Sequence, residues 1–261
     1  MNVLAFFAHP DDETMLCGGT LALLSKLGAE VHYLCATRGE GGEMGDPVLC
    51  GREDLGRVRE LELRCAVQAL SGPEARLDFL EYIDPIVGPD NTLYPYEAET
   101  EMIIAQVLEA IRESKADVVL THGSNGEYGH PAHKRTHEVA LLAVERLGED
   151  APLLYSVQGN YEANPKPHLA NPDDAAHLVL DITEVLDRKI EAAVCHTTQH
   201  ALFVRRASQE AGRLMTIPEV IVDRESLHRL RPAVGVLPAE RMPDDKLTRL
   251  LVQSGAVVQK V

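Results

Sequence analysis

The chain has 261 residues, of which 25 are Lys or Arg and 41 are Asp or Glu, so its formal net charge is −16. That charge argues against nucleic acid or an anionic membrane surface as the partner. Apolar residues make up 45% of the sequence and charged residues 25%, as in globular proteins with a large core, and no apolar run approaches the length of a membrane span.

Short apolar runs alternate with longer amphipathic stretches through the first two thirds of the chain. The runs that predict strands lie at 3–8, 30–37, 76–82, 116–123, 152–157 and 177–182. The stretches with helical spacing lie at 18–28, 53–70, 98–114, 131–148 and 183–196. This alternation predicts an α/β fold with a Rossmann-like, doubly wound, mostly parallel sheet flanked by helices.

The last 65 residues have weaker periodicity and several prolines. We therefore predict a principal domain over residues 1–200 and a C-terminal extension, 201–261, that packs on the same core. Neither part contains an internal repeat or a low-complexity segment.

The first predicted strand runs without a spacer into His9, Pro10, Asp11, Asp12 and Glu13. Three carboxylates beside a buried strand are costly unless solvent or a cation compensates their charge. The start of a helix would also suit acidic residues, because they complement the helix dipole. Taken alone, the segment leaves a structural role and a metal or catalytic site equally open.

Other polar groups follow the later strands in the same way. They lie at 37–43, at 82–84 and at 122–133, each directly after a predicted strand. Doubly wound sheets bind their ligands outside the carboxyl ends of the strands. The sequence therefore predicts one shared site at that edge of the sheet.

The segment 121–137, THGSNGEYGHPAHKRTH, holds four of the 11 histidines. Pro131 suits the first turn of a helix, so His130 and His133 are expected at its mouth and His137 one turn deeper. Imidazoles and carboxylates without cysteine suit a catalytic zinc that keeps one open position for water.

Spacing alone does not settle the ligand set. His9 and one histidine of 130–137 would supply the nitrogens, and either Asp11 or Asp12 the oxygen. The remaining aspartate would be free to act as a base on the metal-bound water.

Three motifs in these segments resemble the PIG-L/LmbE family of zinc-dependent N-deacetylases. They are AHPDDE at 8–13, TRGEGGE at 37–43 and GEYGHPAH at 126–133, with weaker matches in the helix segment RVRELELR and at 192–199. The family removes acetate from N-acetylglucosaminyl-phosphatidylinositol and from the sugar precursors of mycothiol and bacillithiol. The resemblance, over roughly residues 2–200, implies hydrolysis of the N-acetyl group of a small N-acetylglucosaminide, with low-molecular-weight thiol biosynthesis as one setting.

Carried over residue by residue, the resemblance implies zinc bound by His9, Asp12 and His133. Fe²⁺ or another divalent cation would suit the same ligands. Asp11 becomes the general base and also the acid that later protonates the departing amine.

The resemblance also assigns groups around the substrate. His130, held protonated, would stabilise charge at the tetrahedral centre, and Tyr128 would help to polarise the acetyl carbonyl. Arg59 and Asp84 match positions used around the sugar hydroxyls. His196 ends a predicted helix, where a cation suits the dipole, and a contact with substrate is the other interpretation.

The chain departs from the family pattern at Ala132, where many members have Asp, and at Thr198, where many have Ser. Neither position belongs to the expected ligand set. Glu13 is expected to hold backbone amides or a histidine rather than a metal, and His137 is the less favoured alternative to His133. Glu40 and Glu43 lie in a Gly-rich loop, 38–51, which we interpret as a solvated lid able to close over substrate.

Two other functions compete with the deacetylase hypothesis. A zinc amidase acting on a thiol conjugate or another acylated amine would need the same metal and base. A non-enzymatic α/β binding domain is disfavoured, because there is no GxGxxG fingerprint and metal-type motifs are dense.

The cysteines and the start of the chain bear on its location. The five cysteines are scattered without a CxxC pair, which predicts reduced, mostly buried thiols, and no basic segment precedes the first apolar run. We therefore expect a cytoplasmic protein that acts on a soluble glycoside and has no membrane span. A homo-oligomer is compatible with the sequence.

Overall fold

The computed structural model describes residues 1–234 and 242–258. The strands in these ranges are β1 (Asn2–Phe7), β2 (Glu30–Thr37), β3 (Arg76–Tyr82), β4 (Val118–Thr121), β5 (Leu153–Val157), β6 (Gly159–Asn160), β7 (Asn171–Ala175), β8 (Leu178–Asp181) and β9 (Arg224–Arg231). The α-helices are α1 (Asp12–Lys26), α2 (Leu55–Ser71), α3 (Thr100–Ser114), α4 (Gly126–Gly129), α5 (Pro131–Arg146), α6 (Leu186–Cys195), α7 (His200–Ala211), α8 (Ile217–Val220) and α9 (Lys246–Gln253).

The central sheet contains seven of the described strands in the order β3-β2-β1-β4-β5-β9-β8. The first five pair in parallel, and β9 runs antiparallel to both of its neighbours. β6 and β7 form a separate two-stranded sheet. The prediction of a mostly parallel, doubly wound sheet is confirmed.

Both faces of the sheet are covered by helices, as β1 shows. Its alternate residues Val3, Ala5 and Phe7 pack in the core that contains residues of α1, α2 and α6. Leu4 and Phe6 point the other way, into the core that α3 and α5 complete. A strand buried on both faces needs a continuous apolar run, and for this reason VLAFFA does not alternate with polar residues.

Most predicted elements are found close to their expected bounds, and 30–37 and 76–82 coincide with β2 and β3. The first helix begins at Asp12, six residues before the predicted start. Asp12 and Glu13 lie in its first turn, where carboxylates complement the helix dipole. The helix-start interpretation of this acidic segment is therefore confirmed.

The C-terminal residues complete the sheet rather than only packing against it. β9 lies between β5 and β8, and its backbone pairs with both. β9 thus lies beyond the predicted boundary at residue 200 but inside the sheet formed by the strands before that boundary. The sequence of β9, RESLHRLR, lacks the apolar run of the other central strands, which explains why periodicity did not identify it.

The prediction of five reduced thiols was wrong for two of them. Cys65 in α2 and Cys195 in α6 form a disulfide across 130 residues of sequence, while Cys17, Cys35 and Cys50 are free. The pair arises because α2 packs against α6, a contact that no local spacing reveals. No helix in the described ranges is long and apolar enough to cross a membrane.

Candidate active site

The polar segments meet at the carboxyl edge of the sheet, as predicted. β1 leads into His9, β3 is followed by Asp84, β4 by His122, and α5 carries His133 in its first turn. All four side chains are at least nine-tenths buried. Loops that follow different parallel strands have therefore brought distant polar residues into one cluster.

Asp12 lies at the centre of this cluster. Its Oδ2 is 3.3 Å from His9 Nδ1 and 3.4 Å from His122 Nε2, and its Oδ1 is 3.3 Å from His133 Nε2. Burial alone would raise the pKa of Asp12, but the imidazoles of His133 and His122 outweigh it and hold this pKa well below its usual range. Asp12 is therefore an ionised carboxylate surrounded by histidines.

A second buried carboxylate orients two of those histidines. Glu127 Oε2 lies 2.6 Å from His133 Nδ1 and 3.0 Å from His122 Nδ1, and Oε1 accepts from the backbone of Gly123 at 2.9 Å. Burial opposes the charge, yet His122 and His133 lower the pKa of Glu127 to about 2. Glu127 thus fixes both rings with Nδ1 towards itself and Nε2 towards Asp12.

This arrangement suits a divalent cation. His133 Nε2 is buried and has no hydrogen-bond partner, although its ring is held from the other side by a carboxylate. Metal-binding histidines are usually oriented in that way. Two groups, His9–His130–His133 and Asp12–His122–His133, each bring their candidate ligand atoms within 4.8 Å of one another.

His9 bridges Asp12 and a further carboxylate. His9 Nε2 is 3.2 Å from Asp84 Oδ1. Burial would lower the pKa of His9, but Asp84 and Asp12 outweigh burial and raise this pKa to about 10. A positive charge is therefore stabilised at this position. The predicted ligands His9, Asp12 and His133 lie together as expected, and their role as ligands stays a prediction.

Asp11 has a strained backbone and a constrained side chain. Its φ of 109° lies in a region that non-glycine residues rarely adopt, and its N–H donates to Glu13 Oε2 at 3.1 Å. Arg59 Nη2 donates to its Oδ2 at 3.1 Å. Burial raises the pKa of Asp11 to about 7 although Arg59 opposes this, so the carboxylate can exchange a proton near neutral pH.

Arg59 is more committed to the protein than predicted. Its guanidinium donates to Asp11, to the carbonyl of Gly39 at 3.0 Å and to the carbonyl of Pro10. The residue is buried, although it lines the cavity over the site. Its observed contacts orient Asp11, and its predicted contact with a sugar hydroxyl stays a prediction.

Asp84 and His196 differ in their access to substrate. Asp84 lines the cavity beside His9. His196 is fully buried, contacts Glu13 Oε1 at 3.2 Å and Thr14 Oγ1 at 3.3 Å, and does not line the cavity. The suggested contact of His196 with substrate is thus corrected, because its ring holds Glu13. The structural role predicted for Glu13 is confirmed.

Tyr128 and His130 face the cavity together, with ring centres 5.7 Å apart. The Nδ1 of His130 accepts from the backbone N–H of Ala132 at 3.2 Å, which requires an unprotonated nitrogen. Burial and the neighbouring imidazoles of His9 and His133 lower the pKa of His130 to about 2. The expected protonated state is therefore corrected: His130 is neutral and can donate only from Nε2.

The cavity has a volume of about 230 Å³. Part of its wall is the loop with Gly41, Gly42 and Glu43. Glu40 Oε2 accepts from the backbone of Asp84 at 3.1 Å, and Glu43 pairs with both terminal nitrogens of Arg205 at 2.8 and 2.6 Å. These contacts tie the loop to its surroundings, although the Glu43 side chain is 40% exposed; closure of the loop over substrate stays a prediction.

Two residues of the site were not predicted from the sequence. His122 directly follows β4, in the position where ligand-binding groups were expected, but it was given no role. Glu127 lies within the motif GEYGHPAH, yet nothing local shows that its carboxylate reaches two rings. His137 points instead to the carbonyl of His122 at 2.8 Å and belongs to neither candidate metal group of the described residues.

Comparison with known proteins gives the site a context. The sequence model of a family described as PIG-L, GlcNAc-PI de-N-acetylase, matches residues 4–144. A relative from Rhodococcus jostii, named 1D-myo-inositol 2-acetamido-2-deoxy-alpha-D-glucopyranoside deacetylase, is 30% identical over 92% of this chain and 94% of its own. A Bacillus cereus relative, named probable N-acetyl-alpha-D-glucosaminyl L-malate deacetylase 2, is 33% identical over 76% of this chain and 83% of its own.

Solved structures share the fold at low identity. N,N'-diacetylchitobiose deacetylase from Pyrococcus horikoshii aligns with a TM-score of 0.59 and 19% identity over 88% of this chain and 83% of its own. The 4-carboxy-2-hydroxymuconate hydratase GalB from Pseudomonas putida aligns with a TM-score of 0.60 and 22% identity over 91% and 99%. Because a hydratase has this fold as well, the fold alone does not determine the reaction.

Proposed function

The chain belongs to the PIG-L family of GlcNAc-PI de-N-acetylases, and from that membership we propose that it is a metal-dependent hydrolase that removes the acetyl group from a small N-acetylglucosaminide. Relatives at about 30% identity over most of the chain are named as deacetylases of inositol and malate glucosaminides. The observation that carries the proposal is the Nε2 of His133, which has no hydrogen-bond partner, on a ring that Glu127 holds and that is directed at Asp12; Asp12 and Asp11 both line the cavity.

The metal would be held by His9, Asp12 and His133. A divalent cation, with zinc as our proposal, would supply Lewis acidity towards water and the acetyl carbonyl. Asp12 contributes the negative charge, and the two imidazoles contribute nitrogens that suit zinc. Glu127 and Asp84 hold these rings from behind, so the protein fixes the direction of each ligand.

Asp11 carries the proton transfers. Its carboxylate takes a proton from the attacking water and afterwards delivers it to the amine nitrogen as the C–N bond breaks. Arg59 holds one carboxylate oxygen, and Glu13 holds the backbone N–H in its strained conformation. These contacts keep the base in a single position, which a proton transfer at short range requires.

The developing negative charge on the acetyl oxygen needs hydrogen-bond donors. The Tyr128 hydroxyl and the Nε2–H of His130 face the cavity and can provide them. Tyr128 is 58% exposed and is therefore free to adjust when substrate enters. Asp84 and Arg59 line the same cavity, and we place the sugar hydroxyls beside them.

A metal amidase acting on a thiol conjugate or another acylated amine would use the same cation and base. Substrate comparison separates the two functions, since a site that pairs its polar groups with sugar hydroxyls discriminates against substrates that lack them. The cytoplasmic location and a homo-oligomeric state stay predictions. The disulfide is unusual for a reducing compartment.

The test measures bound metal and released acetate in the same samples. We expect about one divalent cation per chain, with acetate released from methyl N-acetylglucosaminide faster than from an acetyl-lysine peptide. His133→Ala should lose both metal and activity, whereas His228→Ala, a histidine on β9 bonded to the carbonyl of Ala175, should lose neither. Metal-free wild type, or full metal in His133→Ala, would contradict the proposal; equal turnover of the peptide would contradict the sugar assignment.

A further inference from the structure

The cavity over the site has two chemically different parts. Its floor is polar and contains His9, Asp11, Asp12, Asp84 and His130. Its outer wall, which we call the apolar rim, consists of side chains from two separate segments: Pro85, Val87, Leu93, Tyr94 and Leu202. If the acetyl group is hydrolysed at the floor, whatever is attached to the sugar must pass along the rim.

The rim is preformed and accessible. Val87, Tyr94 and Leu202 are 39%, 44% and 41% exposed, respectively. The loop that carries most of the rim is closed by two backbone hydrogen bonds, from Gly88 to Thr92 at 2.8 Å and from Thr92 to Pro89 at 3.1 Å. A single exposed apolar residue needs no explanation, but a contiguous group at the mouth of a polar cleft indicates a binding surface.

The charges around the cavity oppose an anionic group. The lining contains the carboxylates of Asp11, Asp12, Glu43 and Asp84, and Arg59 is its only Lys or Arg within the described ranges. The Arg59 guanidinium is already bonded to Asp11 and to backbone carbonyls. Because the proposed cation at the floor is taken by the water and the acetyl group, a carboxylate or phosphate beyond the sugar would lose water without gaining a free cation as its partner.

The rim also offers little to a polyol. Gln199 lies beside it, but its Nε2 already donates to the carbonyl of Glu43 at 2.8 Å and to Thr198 Oγ1 at 3.0 Å. The Tyr94 hydroxyl is the one polar side-chain group on the rim itself. Several hydroxyls laid against this surface would lose hydrogen bonds to water, whereas a hydrocarbon or aromatic surface would be stabilised by leaving water.

We infer that the substrate carries an uncharged apolar or aromatic group on its amino sugar and that the apolar rim binds this group. The inference rests on the proposed deacetylase function and specifies its substrate class. The base and the metal ligands at the floor act on the amide, and the rim selects the group beyond the sugar. One added hydrophobic group that contacts an apolar surface changes kcat/KM moderately, by about 10-fold or more.

The test compares phenyl, methyl and malyl N-acetylglucosaminides, each as both anomers, by kcat/KM for acetate release. We expect the phenyl glycoside to exceed the methyl glycoside by about 10-fold or more, and the malyl glycoside to fall below both. Val87→Ser and Leu202→Ser should bring the phenyl-to-methyl ratio towards one. Leu214→Ser, at an 80% exposed leucine away from the cavity, should retain the wild-type ratio.

Binding to the protein after chelation of its metal provides a readout that does not depend on turnover. Calorimetric Kd values for the phenyl and methyl glycosides should show the same order, and the two rim variants should lose the difference. No acetate from any glycoside would refute the proposed function, while the Kd values would still test the rim. Acetate release with equal or reversed preference, or an unchanged ratio in both rim variants, would overturn the inference and leave the deacetylase intact.

Discussion

Replacing Glu127 by glutamine should weaken metal binding although Glu127 is not itself an expected ligand. Its carboxylate accepts from Nδ1 of both His122 and His133; Nε2 of His133 is then open towards Asp12, while Nε2 of His122 accepts from the backbone N–H of Ala8 at 3.0 Å. Oε2 of Glu127 accepts from both rings and Oε1 accepts from the backbone N–H of Gly123, so the single oxygen of a glutamine can serve either the two rings or Gly123, and its NH₂ group then faces another donor. In either orientation a buried N–H faces the NH₂ group without an acceptor, so the hydrogen bonds that orient the two imidazoles are weakened.

The size of the effect follows from the position of the carboxylate behind a ligand. Loss of such a partner typically lowers metal affinity about 10- to 100-fold, which corresponds to about 1.4–2.7 kcal/mol. A zinc titration against a competing chelator measures Kd directly, and thermal unfolding of the metal-free protein separates this effect from a loss of stability. The matched control is Glu62→Gln. Glu62 is another buried carboxylate, which accepts from the backbone N–H of Thr198 at 2.8 Å and from its Oγ1 at 2.7 Å. It belongs to neither candidate metal group.

Two results would contradict the role given to Glu127. If Glu127→Gln binds zinc within about twofold of wild type while His133→Ala does not bind it, packing rather than the Glu127 carboxylate orients the ring. If Glu62→Gln weakens zinc binding as much as Glu127→Gln, the effect is a general loss of structure.

Three further outcomes are expected. Asp11→Asn should keep its metal and lose about 10²–10⁴-fold in kcat, whereas Asp12→Asn should lose metal. Metal content measured beside kcat checks both variants. The reverse pattern would exchange the roles of the two aspartates. Gly41→Ala should raise KM, because a Cβ there would overlap the carbonyl oxygen of Pro85 and displace this part of the cavity wall; an unchanged KM would show that the wall adapts without affecting substrate binding. Cys65→Ser should lower the free energy of unfolding by up to about 5 kcal/mol, because loss of the cross-link gives the unfolded chain more conformational freedom. Denaturant titration measures this beside the free-cysteine control Cys50→Ser. Equal stability of the two variants would mean that the disulfide does not stabilise the fold.

Features that depend on local pattern were predictable from the sequence. The bounds of β2 and β3 and the clustering of polar groups after successive strands follow from apolar runs and from the geometry of parallel sheets. Pro131 correctly marked the start of α5, because proline is compatible with the first helical turn. The same rules predict that His9, an aspartate of 11–12 and a histidine of 130–137 lie together, whereas the choice of Asp12 and His133 came from the family resemblance.

Features that depend on contacts between distant residues were not predictable. The commitment of Arg59 to Asp11 requires α2 to lie beside the loop after β1, and the disulfide of Cys65 requires α2 to pack on α6. The neutral state of His130 depends on burial and on two neighbouring imidazoles, which a spacing pattern does not contain. Such properties belong to the assembled cluster rather than to any one segment.

The place of β9 in the sheet affects how the molecule can be synthesised. The ribosome adds β9 after both of its neighbours, β5 and β8, so those two strands emerge with unpaired backbone groups that must wait for it. Unpaired strands of this kind can associate with other chains, and pairing across a long separation is slow. A nascent chain that already contains every residue of the candidate active site therefore still lacks a strand inside its sheet. Premature termination shortly after residue 200 would yield an aggregation-prone product rather than a smaller enzyme.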